Sequence, residues 1–97
     1  MKLLTKKIEK TIPALYSQEN VSDPMCRVKF FNPAGMGTWY VIERDEDTCF
    51  GYVDMGEPEL GYFSISELES IQLPFGLKIE RDLWWDPKPL SEVMKEV

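Results

Sequence analysis

Three successive stretches, rich in apolar, aromatic and β-branched residues, each predict a β-strand. The stretches are residues 26–31, 38–44 and 48–54. In the first, the alternation places Cys26, Val28 and Phe30 on one face. The second carries apolar groups on both faces, which predicts a central strand with cover on each side. Gly51, inside the third, indicates a bulge or a close-packed aromatic side chain from a neighbouring strand.

The stretch 57–70 predicts its own structure step by step. Pro58 has no N–H and a fixed φ, so it breaks whatever element precedes it. Residues 60–63 then predict a short strand, and Ser64 with Glu67 three residues later has the spacing of a capping box. The same spacing recurs two residues further on, which leaves two cap registers open. Apolar residues at three-to-four spacing follow, so the strand should turn directly into a short helix.

Two further helices are predicted near the ends of the chain. Thr5 is a helix-capping residue type, and apolar residues recur every four positions until Pro13 ends the helix. Residues 90–97 carry a second apolar stripe, whereas residues 77–85 suit either a strand or a helical turn. The sequence therefore predicts a single α+β domain over residues 1–97. Its architecture is a three- to four-stranded antiparallel meander with an N-terminal helix, a short helix after the last meander strand and a C-terminal helix.

Length and composition bound the class of protein. The chain has 97 residues, of which 43% are hydrophobic and 12% aromatic, and this argues against disorder. We expect no membrane span and no secretory signal, because no stretch is long enough or apolar enough. The expected location is therefore the cytoplasm, where Cys26 and Cys49 should be free thiols.

Charge is distributed unevenly along the chain. The formal net charge is −6, and residues 43–69 hold nine acidic residues against one basic residue, Arg44. An acidic middle disfavours direct nucleic-acid binding, which needs clustered positive charge. The acids then either form a solvated face or attract a basic partner.

The residue types that carry most enzyme chemistry are missing or badly spaced. The chain has no histidine, and two lone cysteines cannot supply the ligands of a zinc site. Asp45, Glu46 and Asp47 do not fit the spacing of a calcium loop. The glycines at 35 and 37 lack the lysine and hydroxyl of a phosphate loop. We therefore expect no metal, no cofactor and no catalytic constellation.

A partner-binding surface is the remaining candidate. Residues 45–59 hold six acids and no base, and they cover a predicted hairpin tip and a loop, where binding groups usually lie. The pair Trp84 and Trp85 adds aromatic area, and adjacent strand residues face opposite ways, so one ring should be exposed. The candidate binding residues are Asp45, Glu46, Asp47, Asp54, Glu57, Glu59, Trp84 and Trp85.

Four segments together resemble a small bacterial family known only as a domain of unknown function. They read VKFFNPAGMGTWYVIE, FGYV, EPELGYFSISELES and LKIERDLWW, and they cover most of the chain. The resemblance implies a cytoplasmic domain encoded on plasmids, phages and integrative elements. It implies no activity.

The leading hypothesis is a non-enzymatic domain that binds another protein through the acidic surface and an exposed aromatic side chain. One alternative is an inhibitor of a host nucleic-acid-binding system whose acids imitate phosphates, which predicts carboxylates spaced along one surface. Another is a small enzyme that uses Asp54, Glu57 or Glu59, which predicts that these side chains converge on a pocket. The oligomeric state is left open.

Overall fold

The computed structural model describes residues 2–96 of the chain. The helices are α1 (Lys6–Glu9), α2 (Ile65–Ser70) and α3 (Leu90–Glu96), with a 3₁₀ turn at Pro74–Gly76. The strands are β1 (Met25–Cys26), β2 (Val28–Phe31), β3 (Thr38–Asp45), β4 (Thr48–Asp54), β5 (Pro58–Ser64), β6 (Glu80–Arg81) and β7 (Lys88–Pro89). The predicted α+β class is confirmed, with more strands than predicted. Within residues 2–96, no helix combines the length and the hydropathy that a membrane crossing requires.

Five strands form an antiparallel sheet in the order β5, β4, β3, β2, β6. β2 to β5 are the predicted meander, and β6 returns along the far side of β2. β1 and β7 form a separate two-stranded ribbon. β3 is the middle strand of the five, as its two apolar faces predict.

Each face of the sheet carries its own core. The first face is covered by the N-terminal segment and α2, and its cluster includes Leu3, Phe30, Val41, Cys49 and Leu68. The second face is covered by α3, and its buried cluster consists of Cys26, Tyr40, Ile42, Tyr52, Leu90 and Val93. The two cysteines are free and lie on opposite faces. The prediction of free thiols is therefore confirmed.

The predicted switch from strand to helix at Ser64 is confirmed in detail. The Ser64 hydroxyl accepts a hydrogen bond from the N–H of Glu67, which selects the first of the two cap registers. Asp47 adds a second anchor, because its carboxylate accepts hydrogen bonds from both the N–H and the hydroxyl of Ser66 and from the hydroxyl of Ser64. The β3–β4 turn is thereby fixed to the start of α2.

A similar anchor holds α3 to the second face. The carboxylate of Asp23 accepts hydrogen bonds from the N–H and the hydroxyl of Ser91, at 2.8 and 2.7 Å. These bonds hold the pKa of Asp23 below its usual value. Each of these two helices is thus tied at its first turn by an aspartate from a distant segment.

The structure corrects the predicted first strand. The alternation breaks at Arg27, whose N–H donates to the carbonyl of Val41 at 2.7 Å. Cys26 therefore lies in the second-face cluster, whereas Val28 and Phe30 lie in the first-face cluster. The prediction of a single continuous strand over residues 26–31 was wrong, because Cys26 pairs within the β1–β7 ribbon and not within the main sheet.

Two other predicted elements differ in extent. Thr5 caps the first helix as predicted, but α1 ends at Glu9 rather than close to Pro13. Residues 77–85 are neither one strand nor one helix, since only Glu80 and Arg81 pair with β2. Both segments are short and irregular, and tertiary contacts fix them more than local periodicity does.

Gly51 faces a bulge rather than lying on one. The register between β3 and β4 shifts between Val41 and Glu43, so Ile42 is the additional residue. A Cβ at Gly51 would lie 1.7 Å from the carbonyl oxygen of Tyr40, which leaves room only for glycine. The bulge also turns Glu43 toward the second face, where it lies opposite Phe50.

Candidate functional site

A hollow of about 420 Å³ opens on the second face, between the sheet and the loop of residues 13–24. We call it the aromatic hollow, because Tyr16, Phe50 and Tyr62 line it together with Leu60 and Glu43. α3 covers the neighbouring part of the same face, where Leu90 forms one edge of the hollow. The second face is thus covered by α3 on one side and open on the other.

A buried carboxylate forms part of the wall of the aromatic hollow. Glu43 is only 4% exposed, and its two oxygens accept hydrogen bonds from the N–H groups of Tyr16 and Gln18, at 2.9 and 2.7 Å. Within residues 2–96 no basic side chain forms an ion pair with Glu43. The carboxylate therefore fixes the 13–24 loop and leaves its negative charge uncompensated beside the hollow.

Two tyrosines stand at the mouth of the aromatic hollow. Tyr16 has a positive φ of 69°, an unusual conformation for a bulky residue, at the point where Glu43 binds its N–H. The ring of Tyr62 packs on Phe50 with centroids 5.0 Å apart. Partial burial raises the pKa of the Tyr62 phenol, and hydrogen bonding to Tyr16 and the charge of Glu43 act in the same direction. The mouth is therefore lined by neutral, polarisable aromatic groups beside a negative charge.

The outer edge of β5 borders the aromatic hollow and has no partner strand within residues 2–96. The N–H of Ile65 donates to the carbonyl of Asp47, which continues the β4–β5 register and shows that odd-numbered residues of β5 bond to β4. The N–H and C=O groups of Leu60 and Tyr62 therefore point away from the sheet. Pro58, which lacks an N–H, occupies another outward position, as proline does on edge strands.

The six candidate acids lie in two groups at opposite ends of the β4–β5 pair. Asp45, Glu46 and Asp47 form the turn beside the end of β5, and Asp54, Glu57 and Glu59 lie at its start. At about 3.3 Å per residue along β4, the two groups are about 23 Å apart. The two groups do not form one continuous patch, but they lie near the two ends of the exposed edge of β5.

The candidate acids differ in whether their carboxylates already accept hydrogen bonds within the chain. The carboxylate of Asp47 accepts hydrogen bonds from Ser64 and Ser66, and these bonds hold its pKa below the usual value. Asp54 accepts a hydrogen bond from the N–H of Gly56. Glu57 on the β4–β5 turn and Glu59 in β5 are exposed, as are Asp45 and Glu46. Four of the six candidate carboxylates are therefore available to a partner: Asp45, Glu46, Glu57 and Glu59.

Trp84 and Trp85 follow β6, which lies at the opposite edge of the sheet from β5. The two edge strands are about 19 Å apart, four strand spacings of about 4.8 Å. Trp84 is 94% exposed, while Trp85 packs on Tyr40 with ring centroids 5.6 Å apart. One ring is half-buried and the other exposed, although Trp84 lies in a turn and Trp85 in an irregular segment rather than in a strand. None of the six candidate acids lines the hollow that Trp85 borders.

Sequence reasoning missed the aromatic hollow itself. Glu43 directly follows an apolar run, but a glutamate is normally exposed, so its sequence position does not mark it as buried. Tyr62 was assigned only to a short strand. Tyr16 comes to the hollow from a polar loop, and nothing in its local sequence marks it. Long-range packing of the 13–24 loop creates this site, so no local pattern could reveal it.

A family described as a protein of unknown function, DUF2958, matches residues 3–96, so the chain belongs to that family. No curated protein and no solved structure matches the chain. The family description assigns no activity.

Proposed function

We propose that this member of the DUF2958 family is a protein-interaction domain that binds an extended segment of a basic partner along β5. The observation that carries the proposal is the seven-residue edge strand whose outer N–H and C=O groups have no partner strand within residues 2–96. An extended segment added to this edge would gain main-chain hydrogen bonds with Leu60 and Tyr62. Their side chains, 47% and 57% exposed, offer apolar area on the same strand.

Charge favours a basic partner over a second copy of the chain. Glu57 and Glu59 lie near the start of β5. Asp45 and Asp47 lie beside its other end, where Thr48 pairs with Ser64. A segment with lysine or arginine at both ends would match this pattern. Two copies paired antiparallel through β5 would instead bring the two acidic groups of one copy toward those of the other. The aromatic hollow beside β5, with the uncompensated charge of Glu43, suits one basic or aromatic side chain of the partner.

The alternatives have less support. An enzyme built on Asp54, Glu57 and Glu59 needs these side chains to converge, yet none of the three lines the aromatic hollow. Phosphate mimicry needs carboxylates spaced along one surface, whereas the six candidates fall into two separated groups. We keep the cytoplasmic, mobile-element setting that the family resemblance implies as part of the proposal.

Peptide selection with the full chain tests the proposal. Peptides that bind from a random displayed library should share an apolar, extended pattern with basic ends. In amide hydrogen exchange, a bound peptide should protect the N–H groups of Leu60 and Tyr62 more than those of other exposed residues. Leu60→Pro removes an outward N–H without removing a bond to β4, so it should abolish peptide binding.

Leu60→Thr is the matched control, because it shortens the side chain and keeps the N–H. It should weaken peptide binding less than Leu60→Pro. A double Glu57→Gln, Glu59→Gln variant should slow association, and added salt should have the same effect on the unaltered chain. Equal peptide affinity in folded Leu60→Pro and in the unaltered chain would refute the proposal.

A further inference from the structure

A second hollow, of about 290 Å³, lies at the opposite edge of the sheet from β5, where β6 stops pairing with β2. We call it the basic hollow, because Arg27, Lys29 and Arg81 line it, with Asp82 as its one acidic lining residue. The indole of Trp85 forms another part of its wall. In a chain with a net charge of −6, this local excess of positive charge is an exception.

Arg27 is the unusual member of the basic hollow. It is half-buried, and within residues 2–96 its side chain has neither an ion pair nor a hydrogen bond. Its Nε is fully buried without an acceptor. A guanidinium has five N–H donors, and leaving such donors buried and unsatisfied is unfavourable. The side chain therefore has unused capacity for an acceptor with several oxygens.

A second buried donor beside Arg27 lacks a hydrogen-bond acceptor as well. The Nε1–H of Trp85 is also buried without an acceptor. Arg81 donates to the carbonyls of Lys2 and Leu3. The Nζ atom of Lys29 lies 3.7 Å from Oδ2 of Asp82 and 5.8 Å from the centre of the Tyr40 ring. Asp82 thus offsets the charge of Lys29 and leaves that of Arg27.

We propose that the basic hollow binds a phosphate group, either free or as the monoester of a small molecule. The forked guanidinium of Arg27 is suited to two oxygens of one phosphate, and Lys29 adds a second cation beside it. A volume of about 290 Å³ admits a phosphate with a small substituent rather than a large ligand. This site lies on the other edge of the sheet from β5, and it does not depend on the proposed protein interaction.

Titration of the isotope-labelled full chain with inorganic phosphate, followed by NMR of the tryptophan indole N–H groups, tests the proposal. The chain has three tryptophans, so each indole signal is assigned by a Trp→Phe variant. The Trp85 signal should shift and saturate, while Trp39, buried in the first-face core, should stay unchanged. Glycerol phosphate and acetate are the comparison ligands: the first tests an ester and the second a carboxylate.

Arg27→Gln should weaken phosphate binding at least about tenfold, and Arg27→Lys, which keeps the charge and loses the fork, should weaken it less. Lys95→Gln, an exposed change on α3, is the matched control and should leave binding unchanged. If Arg27→Gln does not fold, Lys29→Gln replaces it, with a smaller expected loss. A Trp85 shift that sodium chloride reproduces at equal ionic strength would overturn the proposal, as would unaltered affinity in the folded Arg27→Gln variant. Tighter binding of acetate than of phosphate would also overturn it.

Discussion

The two faces of the sheet differ in how completely they are covered. On the first face, Phe30 and Val41 are fully buried under the N-terminal segment and α2. On the second face, α3 covers Ile42 and Tyr52, while Leu60 and Tyr62 of β5 are about half exposed beside the aromatic hollow. One closed face can therefore supply much of the stability while part of the other face stays uncovered.

The largest expected effect comes from opening the closed face. Phe30→Ala should lower the free energy of unfolding by about 3–5 kcal/mol, because it leaves a cavity in the first-face core. Tyr62→Ala, on the second face, loses mainly its contact with Phe50 and should cost about 0.5–1.5 kcal/mol. Urea unfolding of both variants measures the difference. Equal losses would show that the two faces contribute alike.

Glu43→Gln should have the next largest effect and should act on the second face alone. An amide offers one oxygen in place of two, so the N–H of Tyr16 or of Gln18 loses its acceptor. The expected loss of unfolding free energy is about 1–3 kcal/mol, with faster hydrogen exchange at both amides. The control is Glu59→Gln, an exposed change that should stay within about 0.5 kcal/mol. Unchanged exchange at Tyr16 would contradict the role given to Glu43.

Acid should loosen the anchors of α2 and α3. Hydrogen bonds from serines lower the folded-state pKa of Asp47 and Asp23 below the ordinary value of 3.8. Their contribution to stability is therefore complete above that value and is lost as the pH falls through the lowered folded-state pKa. Asp47→Asn and Asp23→Asn should each flatten the fall in stability below about pH 4. An acid unfolding curve identical to that of the unaltered chain would show that the anchor in question is not linked to folding.

The labelling rates of the two cysteines should show how completely each face is covered, and the measurement needs no substitution. Burial raises the pKa of both Cys26 and Cys49 to about 12, so both thiols should react slowly in the native protein at pH 8. Because the second face is less completely covered, Cys26 should be labelled before Cys49. Mass spectrometry of partly labelled protein gives the order. After denaturation without reductant, two free thiols should be found, and fewer would contradict the assignment of free cysteines.

Local signals in the sequence predicted much of the fold. Pro58, the cap at Ser64 and the apolar residues after it fix the β5–α2 segment within a few residues, and the structure agrees closely. β3 was predicted to be central because both of its faces are apolar, and it is. These features depend on residues close together in the chain, so their patterns are visible without the structure.

Features that depend on distant residues could not be predicted. β1 and β7 contain two residues each and pair across more than sixty positions, so neither shows any periodicity. The bulge at Ile42 redirects Glu43, yet alternation alone gives no sign of an additional residue. The candidate acids were identifiable by type, but their division between the two ends of β5 follows from strand pairing.

The β1–β7 ribbon also bears on the order of events during protein synthesis. Met25 and Cys26 have no sheet partner until Lys88 and Pro89 arrive, and the second-face core needs Leu90 and Val93 as well. The meander of β2 to β5 can pair earlier, while later residues are still inside the ribosome. For that interval, Tyr40 and Ile42 would lie uncovered on the nascent chain, which makes this face the one on which a chaperone would act.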